Sequence, residues 1–132
     1  MIDTSALVAA LLTQHQHHAL ARPHLPREGP IPGIVLAETY AQLRRTFGLT
    51  AQAATTALSY WAFEEPRIAA LPAHGYAELF RVARGLELGG NVHDALIAKT
   101  CARFDLPLVT LDRRQHTMAL ALGVDSRYLL VA

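Results

Sequence analysis

Short apolar segments with strand character alternate with longer helical segments in this chain, and this alternation limits the fold more than any other feature. Strands are predicted at 1–5, 31–35, 67–71, 107–111 and 128–131. Helices are predicted at about 6–12, 36–47, 51–63, 74–88 and 113–122, with a further helix that Asn91 opens. Such alternation predicts an α/β fold, with a mostly parallel sheet of four or five strands and helices on both faces.

Composition is consistent with one domain over residues 1–132. The chain has 132 residues and is 52% hydrophobic, which is enough to build a core. Its lone cysteine, Cys101, cannot form an internal disulfide, and neither a leader-like segment nor a membrane-length apolar run is present. We therefore expect a cytoplasmic protein that does not enter a membrane.

Four acidic residues interrupt apolar segments. Asp3 lies in M-I-D-T-S-A-L, Glu38 in V-L-A-E-T-Y, Asp94 in N-V-H-D-A-L and Asp112 at the end of P-L-V-T-L-D. A carboxylate in apolar surroundings is costly unless it is paired or bound to a cation. Because only 17% of the residues are charged, few acids serve solubility alone. The pattern predicts a shared cluster that holds a hard divalent metal.

The predicted fold allows these acids to meet. Sites in parallel sheets form beyond the carboxyl ends of the strands, where Asp3 and Asp112 are both expected to open. Asp94 falls in the first turn of its helix, and Glu38 lies on a helix that follows a strand. Mg²⁺ and Mn²⁺ prefer carboxylate oxygens, and such a metal activates water and neutralises the charge that develops on a phosphodiester.

Each acid also has a structural explanation. Asp112 is placed to cap the helix that follows it, and Asp94 stands three residues after Asn91, which is the spacing of a capping box. Glu38 fits a solvated helix face. Asp3 lies in the interior of a predicted strand, where no capping role is expected. A purely structural role therefore explains Asp3 less well than the other three acids.

Four motifs in order carry a family resemblance: M-I-D-T-S-A-L, L-A-E followed by L-R-R, G-N-V-H-D-A-L-I-A, and L-V-T-L-D-R-R. Together they resemble a PIN-domain ribonuclease, and specifically the VapC toxins of type II toxin–antitoxin pairs, over essentially the whole chain. The resemblance implies a Rossmann-like PIN fold and Mg²⁺- or Mn²⁺-dependent endonucleolytic cleavage of RNA. It also implies a cognate VapB-type antitoxin as the neutralising partner.

The resemblance also implies roles for single residues. Asp3 and Asp94 match the acids that bind the metal most directly, and Glu38 and Asp112 match the other two members of the catalytic quartet. Ser5 matches the small hydroxyl residue of the first motif and has a supporting role. The His- and Pro-rich stretch 15–32 lies outside the family's pattern, and its role is not assigned.

Basic residues next to two of the motifs are candidates for RNA contacts, because phosphate contacts need only charge and reach. They are Arg44, Arg45, Arg113 and Arg114. A position on solvated helix faces is an equally good explanation for any one of them. A homodimer is also expected, since so apolar a domain has surface left to bury.

Other functions remain as alternatives. The main one is a catalytically silent PIN-like module that binds RNA or a protein, although four intact acids argue against it. A nucleotide-binding domain needs a Gly-rich turn between strand and helix, and Gly89-Gly90 follows a helix instead. A phosphatase with an aspartyl nucleophile ordinarily has a second acid where Ser5 stands.

Overall fold

The structure is a computed structural model that describes residues 1–86 and 91–130. The described helices are α1 Thr4–Leu11, α2 His18–Ala21, α3 Gly33–Arg45, α4 Ala51–Ala62, α5 Ala73–Leu86, α6 Val92–Arg103 and α7 Arg113–Ala121. The described strands are β1 Ile31–Pro32, β2 Ile68–Ala69, β3 Leu108–Thr110 and β4 Ser126–Tyr128. Short 3-10 turns cover Arg22–His24 and Glu65–Arg67. The order of elements is that of an α/β protein, as predicted.

All described strand pairing is parallel, which confirms the predicted fold class. β1 pairs with β2, and β3 pairs with β4. The first residues of the chain add to the second pair through a parallel bridge between Ile2 and Val109. Within the described residues the four strands form two pairs of two or three residues each, so the sheet is less continuous than the sequence indicated.

The predicted strand at 1–5 is wrong beyond its first residues, for a physical reason. The Asp3 N–H donates to the carbonyl of Val109 at 3.0 Å, which is the last sheet-like bond of the segment. The Asp3 carboxylate then accepts the Ala6 N–H, so it caps a helix that begins at Thr4. Asp3 therefore caps α1, contrary to the expectation from a position inside a strand.

Other predicted boundaries shift by a few residues. The strand predicted at 31–35 ends at Pro32, because α3 begins directly at Gly33. The last strand covers Ser126–Tyr128 and so begins earlier than the predicted 128–131, whose final residue lies outside the described residues. The predicted helix end at residue 88 and the Gly89-Gly90 stop lie outside the described residues. The interpretation of 1–132 as a single domain stays a prediction.

The main core forms where α1 packs on α3, and α6 packs on α3 and α7. Its largest fully buried members include Ile2, Leu7, Ile31, Ile97 and Leu108. α4 fixes the Pro-rich segment, since Trp61 Nε1 donates to the carbonyl of Pro26 at 3.0 Å and the Tyr60 hydroxyl donates to that of Arg27. None of the described helices combines the length and the apolar character that a bilayer crossing requires.

Candidate active site

Asp3 is the most buried member of the acid cluster, with 3% of its surface exposed. Its carboxylate accepts the Ala6 N–H at 2.9 Å and the Ser5 hydroxyl at 2.8 and 2.9 Å, and it also accepts the Thr110 hydroxyl. Burial raises the pKa of Asp3 to about 6, although these hydrogen bonds act in the opposite direction, and the charge of Asp112 raises it further. Ionised Asp3 is thus costly in this position without a cation nearby.

Thr110, the last residue of β3, connects Asp3 to Asp112. Its hydroxyl donates to Asp3 and accepts the Asp112 N–H at 2.9 Å. The Asp112 carboxylate accepts the Arg114 N–H at 2.8 Å and so caps α7. The capping explanation for Asp112 is therefore correct. The capping carboxylate is also close enough to Asp3 for its charge to raise the pKa of Asp3.

Ser5 links the same two elements from the side of α1. Its hydroxyl donates to Asp3 and accepts the Leu111 N–H at 3.1 Å. The supporting position expected for Ser5 therefore has a structural basis, because one hydroxyl orients the buried acid and ties it to the segment that carries Asp112.

Glu38 approaches the cluster from α3. The Thr4 hydroxyl donates to its Oε1 at 2.8 Å, which joins the start of α1 to the middle of α3. Glu38 is half-buried, and it is close enough to the fourth acid, Asp94, to raise the pKa of that acid.

Asp94 lies in the first turn of α6 and is half-buried. Burial raises its pKa, and the charges of Asp112 and Glu38 raise it further, whereas His93 and Arg114 act in the opposite direction. The capping-box explanation for Asp94 is wrong, because Asn91 makes no side-chain capping bond at this helix start within the described residues.

The structure thus brings all four predicted acids into one region. The charge of Asp112 raises the pKa of both Asp3 and Asp94, and the charge of Glu38 raises the pKa of Asp94. They come from four places in the chain that are far apart in sequence, and like charges held together in this way repel one another. A cation among them would offset that repulsion, and the oxygen-only donor set suits a hard divalent ion.

The spacing of the donors limits what kind of metal site this is. Within residues 1–86 and 91–130, no three His, Cys, Asp or Glu side chains are grouped closely enough to hold one ion together. Mg²⁺ is usually held by one or two carboxylates and keeps several of its waters. The residues present therefore fit a water-rich site with one or two direct carboxylate ligands, and they do not fit a closed protein cage.

The four candidate arginines lie in two places. Arg113 and Arg114 begin α7, next to Asp112, and Arg114 is close enough to Asp94 to lower its pKa. Arg44 and Arg45 end α3, and the Arg44 side chain donates to the carbonyl of Leu49 at 3.0 Å. The pair on α7 therefore adjoins the acids more closely than the pair on α3, where one guanidinium is tied back to its own loop.

Two residues of the site were not identified from sequence. Thr110 is fully buried and bridges two acids, and its only signal was a hydroxyl two residues before Asp112. Gln115 is 1% exposed, and its Nε2 donates to the backbone carbonyl of Asp94 at 2.9 Å. Nothing in its own segment marked Gln115, which lies in the first turn of α7, because its partner lies on another helix.

Comparisons with known proteins agree with the fold. The family model described as "PIN domain" matches residues 1–120. Among solved structures, the Mycobacterium tuberculosis toxin VapC20, which cleaves the sarcin–ricin loop, is similar with a TM-score of 0.68 and 20% identity over 93% of this chain and 94% of that one. No curated protein sequence gives a significant match. The predicted fold matches that of a VapC structure, and the chain belongs to the PIN-domain family.

Proposed function

We propose that this protein is a Mg²⁺- or Mn²⁺-dependent endoribonuclease of the VapC toxin type. The observation that carries the proposal is the meeting of four carboxylates in one region, where Asp112 and Glu38 raise the pKa of Asp94 and Asp112 raises that of Asp3. Membership of the PIN-domain family and a fold shared with a ribonuclease toxin support it.

In this proposal Asp3 and Asp94 bind the metal, and Glu38 and Asp112 complete the quartet. Ser5 and Thr110 hold the Asp3 carboxylate in one orientation through their hydroxyl groups. Glu38 and Asp112 orient the attacking water by accepting its hydrogen bonds, and they take up the proton that it releases. A divalent cation bound there supplies Lewis-acid stabilisation of the charge that develops on the phosphodiester.

Arginines at the start of α7 supply the contacts to the RNA backbone. Arg113 and Arg114 are exposed and lie beside Asp112. The Arg113 guanidinium lies over the Tyr128 ring, 5.6 Å from its centroid, which limits the orientations that it can take. Phosphates held there place the scissile bond next to the acids.

A toxin of this type also needs partners. The exposed aromatic side chains, led by Phe63 at 70% and Phe80 at 61% exposure, leave apolar surface for a second copy of the chain or for the cognate VapB-type antitoxin. We propose both a homodimer and an antitoxin complex. An RNA substrate also agrees with the cytoplasmic location expected from the sequence.

The test is an RNA cleavage time course with wild type, Asp3→Asn and Asp94→Asn in Mg²⁺, in Mn²⁺ and in EDTA. Each variant is expected to lose cleavage by roughly 100-fold or more, because a neutral amide replaces a metal-binding carboxylate. Asp3→Asn keeps a side chain that caps helices well, so cooperative unfolding is expected to persist. Glu64→Gln, an exposed acid outside the cluster, is the matched control.

Two results would contradict the proposal. Cleavage by wild type that EDTA does not inhibit would remove the metal from it. Wild type that binds RNA without cleaving it in either metal would instead support the silent binding module.

A further inference from the structure

A cavity of about 640 Å³ opens beside the acid cluster, between the start of α6 and one face of α7. Asp112 lines this cavity, so the cavity and the cluster share a residue. The other polar residues on its wall are Asn91, Arg113, Arg114 and Thr117. A molecule in the cavity would therefore lie directly next to the proposed site of cleavage.

The apolar part of the wall comes from a single helix. Met118 and Ala121 of α7 line it, and Met118 is 9% exposed, so its thioether is held in the core beneath the cavity. Flat aromatic rings pack well on such a surface, and a methionine sulfur makes favourable contacts with them. The wall therefore suits a planar ring better than a flexible polar chain.

The polar groups suit the rest of a nucleotide. Arg113 and Arg114 bring positive charge to the mouth of the cavity, which favours a phosphate and disfavours a cationic peptide. The Asn91 side chain makes no capping bond within the described residues, so its amide can offer a donor and an acceptor to the edge of a base.

We propose that this cavity receives one nucleobase of the RNA strand, beside the phosphodiester that the acid cluster cleaves. The base packs on the apolar face of α7, Asn91 reads its edge, and the two arginines hold the adjoining phosphate. The cavity thereby sets the base preference next to the cut. This inference rests on the proposed ribonuclease function, although its binding step is measurable without cleavage.

The test compares Ala121→Phe, which fills the cavity, with Ala53→Phe, a matched change at an exposed alanine of α4. The probe is a single-stranded RNA that wild type binds, together with a series in which one nucleotide at a time lacks its base. Binding of this series is measured in an Asp94→Asn background, so that cleavage does not enter the result. Cut sites in a randomised RNA pool are read separately by sequencing the RNA ends.

Wild-type protein and Ala53→Phe are expected to bind one member of the series more weakly, by roughly tenfold or more, because a buried base stack is lost. Ala121→Phe is expected to lose this discrimination, to bind intact RNA with the affinity of the abasic strand, and to change the base preference at the cut. Asn91→Ala is expected to keep the abasic penalty but relax the choice of base.

Equal discrimination by Ala121→Phe and wild type would overturn the proposal, even if cleavage is metal-dependent as proposed. Absence of cleavage together with intact discrimination would overturn the ribonuclease function and leave the nucleobase site standing. If Ala121→Phe changes no RNA measurement and weakens only the binding of a protein partner, the cavity is a protein-docking site and the proposal is wrong.

Discussion

The two halves of the acid cluster are held by the fold in different ways. The buried half comprises Asp3 and Thr110, with the half-buried Ser5 bonded to them, and is joined by side-chain hydrogen bonds; Asp3 is 3% exposed. The open half comprises Glu38, Asp94 and Asp112, all half-buried. Gln115 donates a hydrogen bond to the backbone carbonyl of Asp94 and not to its carboxylate. The Asp94 carboxylate instead interacts with the charges of its neighbours, which shift its pKa.

In the proposed metal site, this difference would combine one fixed ligand with more adaptable ones. Asp3 is oriented before any cation arrives, so little reorganisation of that side chain is needed on binding. The open half is in contact with solvent, which is where we propose that substrate and water enter. Changes in the buried half should therefore affect folding stability as well as activity, whereas changes in the open half should affect mainly activity.

The largest expected effect on stability comes from Asp3 and pH. The pKa of Asp3 in the folded protein is about 6, above its ordinary value of 3.8, so the folded state favours the protonated carboxyl. The stability that this proton contributes is fully present below pH 3.8 and is lost as pH rises through 6. In metal-free buffer the loss amounts to about 3 kcal/mol.

Urea unfolding at a series of pH values in EDTA measures this loss. Asp3→Asn has no titrating group at this position, so the free energy of unfolding of that variant should lack the loss seen in wild type. Asp125→Asn, at an exposed aspartate outside the cluster, is expected to follow wild type. Curves for wild type and Asp3→Asn that run parallel across the whole range would show that Asp3 is not the costly charge.

Thr110→Val is expected to have the next largest effect, about 2 kcal/mol of destabilisation. The change keeps the shape of the side chain but removes a hydroxyl that serves both Asp3 and the Asp112 N–H. It should also raise the pKa of Asp3 further, because the Thr110 hydrogen bond lowers it. Thr55→Val, at an exposed position of α4, is the control, and an equal loss there would remove the special role of Thr110.

The same comparison explains which features the sequence could predict. Asp3, Glu38, Asp94 and Asp112 stood out because carboxylates in apolar segments are rare, and this signal is local. The parallel α/β class followed from the order of strand-like and helical segments, which is also readable along the chain.

Features that depend on pairing across the fold were out of reach. The strand at 1–5 was overestimated because helix capping by Asp3 competes with strand propensity, and only the folded chain shows which wins. Thr110 and Gln115 matter through partners 107 and 21 residues away in sequence. Neither residue type is unusual in its own segment, so no local pattern marked them.

Gln115→Met tests how the open half is held. The substitution conserves length but removes the hydrogen bond to the Asp94 carbonyl, so we expect a loss of about 1 kcal/mol in stability. Because the first turn of α6 is then less well fixed, kcat should fall more than KM changes. Gln42→Met, at an exposed position of α3, is the matched control for helix propensity. A fall in stability with unchanged kcat would limit Gln115 to a packing role.

The smallest expected effect concerns the arginines and appears only as a change in salt dependence. If Arg113 and Arg114 hold phosphates, replacing both with Ala should weaken RNA binding and reduce the slope of log affinity against log salt by about 0.7 per lost contact. Replacing Arg44 and Arg45 should change the slope less, because Arg44 is tied to the Leu49 carbonyl and both lie in the last turn of α3, on a different helix from Arg113 and Arg114. Asp112→Asn should leave binding intact or stronger, since it removes a repelling charge, while cleavage falls. Filter binding over a range of salt concentrations, beside a cleavage time course, separates these outcomes. Equal slopes for the two arginine pairs would mean that RNA follows both helix ends, and the open half would then be only part of a longer binding path.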